Sequence, residues 1–407
     1  MRIVHLITTL AIGGAEQMLV KLLRTMDRSE FAPTVVTLVN DGPLIEVIRD
    51  LGIEVCSLDL RRGEVSPRAL RRLITIVRDS RPDIVQSWMY HANTAAMLAR
   101  PWLPRRTGIV WNIRQSLYDI SKERFLTQAV IRSGRVLAPY ADALVNNSWV
   151  SREQHAKIGY LNRRSLVISN GFEVDRFRPD RAKGEVVRAA LGIPNDALVV
   201  GMAARVHPQK DHAGFLAAAA IAAARDPRLA FLLVGRGTKT DPVIDAATRG
   251  PLRGRLWTLG ERDDVETMLQ AIDVAVSSSS WGEGCPNAVG EAMSTGLPVI
   301  GTDVGDTAEV IGPCGIVVPP RDRERLALAI SEIASLSLAD RAALGAAARE
   351  RVRVRFTIER VASQYARLYR DIVNERRGCR EAVSDQPREA STALAAKAAG
   401  SEPVAAS

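Results

Sequence analysis

Two carboxylates and two cations stand at spacings that could handle a nucleotide and a sugar. Glu283 and Glu291 have seven residues between them in the stretch SSSSWGEGCPNAVGEAMSTGLPVIGTDVGD, which runs from Ser277 to Asp306. A carboxylate only accepts hydrogen bonds and can take both hydroxyls of a vicinal diol. Glu291 falls on a helical pattern and could hold a ribose diol, while Glu283, on a Gly-rich loop, would face a sugar hydroxyl. Gly284 permits close backbone approach, so the helix N-terminus beside it could lie against phosphate. The cations are Arg205 and Lys210, with Pro208 stiffening the loop between them. A guanidinium grips a diphosphate through paired N–H donors, and a lysine adds a compact point charge. Fixed cations lower the barrier when a nucleoside diphosphate leaves a sugar, because charge builds on the leaving oxygens. Taken alone, the glutamates are what a solvated helix face carries and the cations what a surface loop carries. The elements around them decide.

Both pairs follow buried strands. Ile272 to Val276 is short, apolar and β-branched. The polar loop after it gives way to a helical pattern from Asn287, Gly296 stands where a C-terminal cap belongs, and Leu297 to Gly301 reads as a second strand. Strand, loop, helix and strand in this order place a ligand at strand carboxyl ends and a helix N-terminus. Leu198 to Ala203 is likewise a buried strand, and it leads directly into Arg205 and Lys210.

The same alternation begins at the N-terminus. Arg2 to Ile7 is a strand, Gly13-Gly14 a loop that could bring backbone N–H groups to phosphate, and Ala15, Met18, Leu19, Leu22 and Leu23 mark a helix. Strands are expected at Thr34 to Val39, Glu54 to Leu58, Asp83 to Ser87, Gly108 to Ile113, Ala143 to Asn146 and Leu166 to Ile168. Helices are expected between them, among others at Leu44 to Leu51 and Pro67 to Arg78. Asn147 and Ser148 would cap the helix after the Ala143 strand. Asn170-Gly171 reads as a turn, and the first unit should end near Arg178-Pro179. Beyond it come a helix at Gly184 to Leu191 and strands at Leu198, Leu229 to Val234, Arg255 to Leu259, Ile272, Leu297 and Gly315 to Val318. Helices at Arg323 to Ser335, Ala339 to Arg353 and Ile358 to Glu375 close the pattern. Alternating strands and helices predict parallel sheets covered on both faces. His91 in WMYHAN would lie at a strand carboxyl end, where open α/β sheets bind ligands. Asn93 beside it, and Arg114 at the end of the next strand, are candidates for a second substrate. Asp263-Asp264 precedes a helix and reads as a capping pair.

A chain of 407 residues with 46% hydrophobic and 25% charged residues has material for two domains and sizeable cores. The net charge of +9 favours anionic partners such as phosphate or an acidic membrane surface, against a background of scattered arginine. Cys56, Cys285, Cys314 and Cys379 are far apart without C-x-x-C, which argues for a reducing cytoplasm over a disulfide framework. The N-terminus lacks the basic and apolar regions of a signal peptide. The longest apolar run, Ala213 to Ala224, is about half a membrane span, so membrane association would be peripheral. Arg61-Arg62, Arg68, Arg71-Arg72 and Trp102-Leu103 beside Arg105-Arg106 could meet an anionic surface as readily as water. From Arg377 the composition shifts to Ala, Ser, Glu and Pro, the signature of a disordered tail.

EGCPNAVGEAMSTGLPVIGTDVG resembles the E-x(7)-E signature of family 4 retaining glycosyltransferases. GGAE, WMYHAN, NNS, SNGFEVDRF and AARVHPQKDH resemble other segments of that family, in its order, over roughly residues 1–378. The resemblance implies a GT-B fold, α/β, with two Rossmann-like parallel-sheet domains facing across a cleft. An acceptor-binding domain would cover 1–178, a nucleotide-sugar domain 179–355, a crossover helix 356–376 and a tail 377–407. It implies that Gly13 and Gly14 line the donor pyrophosphate and that Arg205 and Lys210 neutralise it. Glu291 would bind the ribose, Glu283 the transferred sugar with Gly284, Cys285, Pro286 and Asn287 beside it, and His91 would stand next to that sugar. Cys285 departs from the aromatic residue common there. The implied reaction moves a sugar, from a UDP-sugar by preference, to a glycan or lipid-linked acceptor of cell-envelope or exopolysaccharide assembly, with retention, without metal or cofactor, in the cytoplasm or on the inner membrane face. A nucleotide-sugar epimerase of the same fold and a silent nucleotide-sugar-binding subunit are the competing readings. A dinucleotide oxidoreductase is disfavoured because no G-x-G-x-x-G opens either domain, and no nucleic-acid module accompanies the charge.

Overall fold

The computed structural model describes residues 1–384 except 62, 63, 65 and 123. Arg62 of the basic cluster and residues 385–407 of the expected tail therefore lie outside the described residues. Two parallel sheets form the framework. The first contains β1 (Arg2–Ile7), β2 (Ala32–Thr37), β3 (Val55–Ser57), β4 (Ile84–Trp88), β5 (Gly108–Ile113), β6 (Ala143–Asn146) and β7 (Ser165–Val167), in spatial order β3-β2-β1-β4-β5-β6-β7. The second contains β8 (Leu198–Ala203), β9 (Leu229–Val234), β10 (Leu256–Thr258), β11 (Val274–Ser277), β12 (Val299–Thr302) and β13 (Gly315–Val318), in order β10-β9-β8-β11-β12-β13. Strands β1, β4, β5, β8 and β9 are almost wholly buried, as near-continuous apolar runs must be when helices cover both faces. The strand order reverses between β1 and β4 in one sheet and between β8 and β11 in the other. In open α/β sheets ligands bind outside the carboxyl ends of the strands at such a reversal.

Each sheet has an apolar cluster on either face. One face of the first sheet is covered by the last helix, Ile358–Ser384, whose Val361, Tyr365, Tyr369 and Ile372 join its core. That helix also satisfies polar groups buried in the strands. Asn112 Nδ2 donates to Tyr365 Oη at 2.9 Å, and Tyr369 Oη donates to Gln86 Oε1. The chain crosses to the second sheet after β7, since Phe172 and Phe177 already pack in the second core. It returns beside the outgoing strand, with Phe172 N–H on the Phe356 carbonyl at 2.9 Å and Ile358 N–H on the Phe172 carbonyl at 3.1 Å.

Two expectations need correction, and one element was not expected. The last helix runs on to Ser384, so residues 377–384 are helical; no proline forbids continuation before Pro387, and an established helix propagates readily. Asp264 occupies an N-cap position, but its carboxylate takes two bonds from Arg262 at 2.8 Å and caps nothing. A short helix, Thr307–Ile311, follows β12 where no apolar period announced one.

Candidate active site

The expected residues come from loops at the two strand-order reversals. After β8, Pro208–Lys210 forms a turn of 3-10 helix that His207 caps, its Nδ1 accepting from Gln209 N–H at 3.2 Å. Burial lowers the His207 pKa, and the Arg205 and Lys210 charges lower it further, so a neutral imidazole stands between two cations. Ser280 N–H donates to the Gln209 carbonyl at 2.8 Å and Ser278 Oγ to the Lys210 carbonyl at 2.9 Å, which ties this loop to the one after β11. Across that tie Lys210 Nζ pairs with Glu283, and Ser279 Oγ donates to Glu283 Oε1 at 2.7 Å. Arg205 is exposed, Lys210 half-buried and Glu283 only 8% exposed.

The helix Asn287–Ser294 carries Glu291 one turn in. It ends at Gly296, φ +78°, where Leu297 N–H reaches the Ala292 carbonyl at 3.1 Å and Gly296 N–H the Met293 carbonyl at 3.0 Å. This doubly bonded stop needs a left-handed residue, which glycine supplies without strain. Pro286 precedes the helix. The Cys285 side chain packs in the second core, and burial pushes its thiol up to about 12. Its contribution to the cleft is therefore its carbonyl.

The first sheet meets these loops directly. Asn170 Nδ2 donates to the Cys285 carbonyl at 2.7 Å and to Asn287 Oδ1 at 2.8 Å. A Cβ on Gly14 would stand 3.6 Å from Asn287 Nδ2, so the Gly13-Gly14 loop faces the helix start across the cleft. A Cβ on Gly284 would collide with the Asn147 side chain, so the close approach expected of Gly284 is to Asn147. Asp306 accepts from Trp149 N–H at 2.8 Å and Val150 N–H at 3.1 Å, capping a helix of the first sheet from the second. Tyr118 stacks on Trp281 at 5.2 Å and accepts from Arg321 at 3.0 Å.

His91 sits in the first turn of helix Met89–Ala99, which starts straight from β4 through a left-handed Met89, φ +68°. That sharp turn brings His91 to the carboxyl end of β4, where it lines a cavity with Thr8 and Thr9 of the loop after β1. Asn93 and Arg114 are placed differently from the expectation of substrate contact. Asn93 is 1% exposed and accepts from Ser87 Oγ at 2.7 Å. Arg114 is 8% exposed and donates to Asn170 Oδ1, to Tyr365 Oη at 3.0 Å and to the Ile168 carbonyl at 3.3 Å. It braces Asn170, and through it the Cys285–Asn287 turn, from behind.

Sequence reading passed over several contributors. Glu16 folds back onto Gly13 at the start of its helix. Burial raises its pKa, while its backbone hydrogen bond and the charge of Arg205 lower it. Lys21, one face further along that helix, is 4% exposed and its Nζ lies 3.3 Å from Glu291 Oε1. Nothing in the local sequence sets Lys21 apart from a surface lysine; its burial against Glu291 comes from the other domain. Asn170 stood inside a quoted segment but was read as a turn. Among the described residues no group of three or more His, Cys, Asp or Glu is placed to hold a metal ion, and no helix is long and apolar enough to cross a membrane.

The model of Glycosyltransferase Family 4 matches residues 12–176, and that of Glycosyl transferases group 1 matches residues 197–335. The lipopolysaccharide core biosynthesis mannosyltransferase LpcC of Rhizobium leguminosarum bv. viciae is 30% identical over 68% of this chain and 82% of its own. The chain belongs to glycosyltransferase family 4, group 1 type. A second relative of this glycosyltransferase is the UDP-Gal:α-D-GlcNAc-diphosphoundecaprenol α-1,3-galactosyltransferase of Escherichia coli, 37% identical over 34% of this chain and 36% of that one. The crystal structure of Anabaena HepE in complex with UDP superposes with a TM-score of 0.80 over 91% of this chain and all of that one, at 21% identity. That likeness establishes the GT-B fold.

Proposed function

We propose that this glycosyltransferase moves a sugar from a UDP-sugar to a glycan or lipid-linked acceptor of cell-envelope or exopolysaccharide assembly, with retention and without a metal. The observation that carries the reading is the convergence of Gly13-Gly14, Arg205, Lys210, Glu283 and Glu291 on one cleft from the segments that follow strands at both strand-order reversals. Arg205 and Lys210 are the cations that would receive the charge of a departing diphosphate. Glu291, with one oxygen on Lys21, keeps the other for the ribose diol. Glu283 would exchange its bond with Lys210 for a sugar hydroxyl as Lys210 turns to the phosphate. In a front-face displacement the acceptor oxygen bonds to the anomeric carbon on the face from which the diphosphate leaves. The departing phosphate oxygen then takes the acceptor's proton, so no enzymic nucleophile is needed. UDP is supported as the nucleotide by the UDP complex of HepE and the UDP-Gal donor of the galactosyltransferase relative. Work on the inner membrane face is the natural setting for a lipid-linked acceptor.

Thermal unfolding with UDP, GDP, ADP and NAD in turn tests the reading. A ligand at a hundred times its dissociation constant adds about 2.7 kcal/mol of stability. A shift with UDP and not with NAD is expected. A shift with GDP or ADP alone would transfer the reading to another donor base, and no shift with any diphosphate would overturn it. Turnover of a UDP-sugar only in the presence of acceptor separates a transferase from an epimerase and from a silent subunit.

A further inference from the structure

The cavity lined by His91 is formed by none of the residues assigned above to the donor nucleotide and its diphosphate. It measures about 470 Å³ and lies in the first domain, against helices Pro67–Ser80, Met89–Ala99 and Phe125–Leu137. Most of its polar groups come from two sets of segments. Thr8, Thr9, His91 and Thr94 stand on the side of the β1 and β4 carboxyl ends, next to the Gly13-Gly14 loop. Arg61, Glu64 and Arg124 are exposed polar groups of its lining, with the Glu64 carboxylate accepting from Arg61 N–H at 2.9 Å. The rest of the lining is mostly hydrocarbon, from Leu58, Leu73, Leu98, Leu126 and Val130 among others, with Ser66 and Thr127 set in it.

Folded interiors fill such space, and apolar surface left open at this volume marks a ligand site. We propose that the cavity holds the hydrocarbon chain of a lipid-phosphate-linked acceptor, with the hydroxyl to be glycosylated presented at His91. This rests on the transferase reading above and names its acceptor class. A soluble glycan would need hydrogen-bonding partners along its length, and beyond those two polar sets the side chains of the lining offer only the hydroxyls of Ser66 and Thr127. A hydrocarbon chain needs none, and the exposed arginines suit the phosphate that joins such a chain to a sugar. The surroundings match the source. Leu98 is 50% exposed and Phe125, between two lining residues, is 83% exposed. Trp102, Val136 and Tyr140 are exposed on the same side chain-bearing segments, interleaved in sequence with Arg105, Arg106, Arg132 and Arg135. Apolar and basic side chains mixed in this way suit the interface of an anionic bilayer from which a lipid would be drawn.

The test is calorimetric titration of the full chain with alkyl phosphates from butyl to decyl, below their micellar concentrations, beside inorganic phosphate and UDP. Each methylene taken out of water should tighten binding about fourfold until the cavity is full. Ala95→Phe, which fills the cavity from the helix Met89–Ala99, should weaken octyl phosphate at least about tenfold and leave the UDP response unchanged. Decyl phosphate binding no tighter than butyl phosphate, while UDP still binds, would overturn the proposal. So would an A95F variant that responds to UDP but binds octyl phosphate like the parent. A chain-length dependence without any UDP response would overturn the acceptor role, because the transferase reading itself would have failed. The parent series decides the matter even where A95F does not fold.

Discussion

Removing the Glu291 carboxylate should cost more stability than a helix-surface glutamate ever does. Its partner Lys21 comes from the other domain, the two side chains are 6% and 21% exposed, and the N–O distance is 3.3 Å. The Phe172 ring also faces the ammonium, 5.8 Å from Nζ. Glu291→Ala leaves that ammonium buried without a counter-charge, and breaking a buried pair in this way costs about 3–5 kcal/mol. For a domain of 150–250 residues each kcal/mol moves Tm by roughly 2–4 °C, so the expected drop is roughly 6–20 °C. Lys21→Met keeps the aliphatic stem and removes the charge. The double variant K21M/E291A should therefore recover at least half of the loss, and the four proteins form a double-mutant cycle with a coupling of about 2 kcal/mol or more. The assay is thermal unfolding at low and high salt, since a buried pair is screened little. A Tm for E291A within about 2 °C of the parent, or a double variant as unstable as E291A, would refute the reasoning.

Lys210→Ala should lower kcat about 10²–10³-fold, the usual effect of losing a preorganised charge at a developing oxyanion; Glu291→Gln should instead act mainly on the donor KM, and near-normal turnover of K210A would sink the assignment. Burial holds His5 near 3 and His155 near 4, against an ordinary 6.5. Both are neutral in the fold and take up protons on unfolding, so stability is complete above pH 6.5 and is lost as the pH falls toward those values. At about 1.4 kcal/mol per pH unit, each removes about 2 kcal/mol at pH 5; urea titrations that agree at pH 7 and pH 5 would contradict this. Asp306→Ala strips the acceptor from Trp149 and Val150 N–H and should cost about 1–2 kcal/mol, while Asp306→Asn should lose less. Amide exchange at those two residues checks it, with unchanged protection counting against the inter-domain cap.

Much of the cleft was legible because strand and helix period are local properties. The alternation places Arg205, Lys210, Glu283 and His91 after strands, and parallel sheets put all strand carboxyl ends on one side. Burial by a partner domain is not local. Asn93 and Arg114 have polar side chains near strand ends and read as substrate contacts, yet Asn93 Oδ1 accepts from Ser87 and Arg114 donates to Tyr365 inside the protein. Gln86 and Asn112 look out of place in buried strands until the last helix, more than 250 residues away, delivers two phenols to them.

By itself, then, the sequence determined the two Rossmann-like sheets and the loops that carry charge, because apolar periodicity and glycine placement act within a few residues; the family was legible only through the resemblance of its motifs in their order. The tertiary structure alone decided which charges are held by partners on a neighbouring loop or across the cleft. Lys21 on Glu291, Lys210 on Glu283 and Asp306 on a foreign helix start are pairings between segments far apart in the chain. It also decided where, among the described residues, an apolar space opens beside His91. Desolvation and pairing depend on what the other domain presents, and no spacing along one chain encodes that.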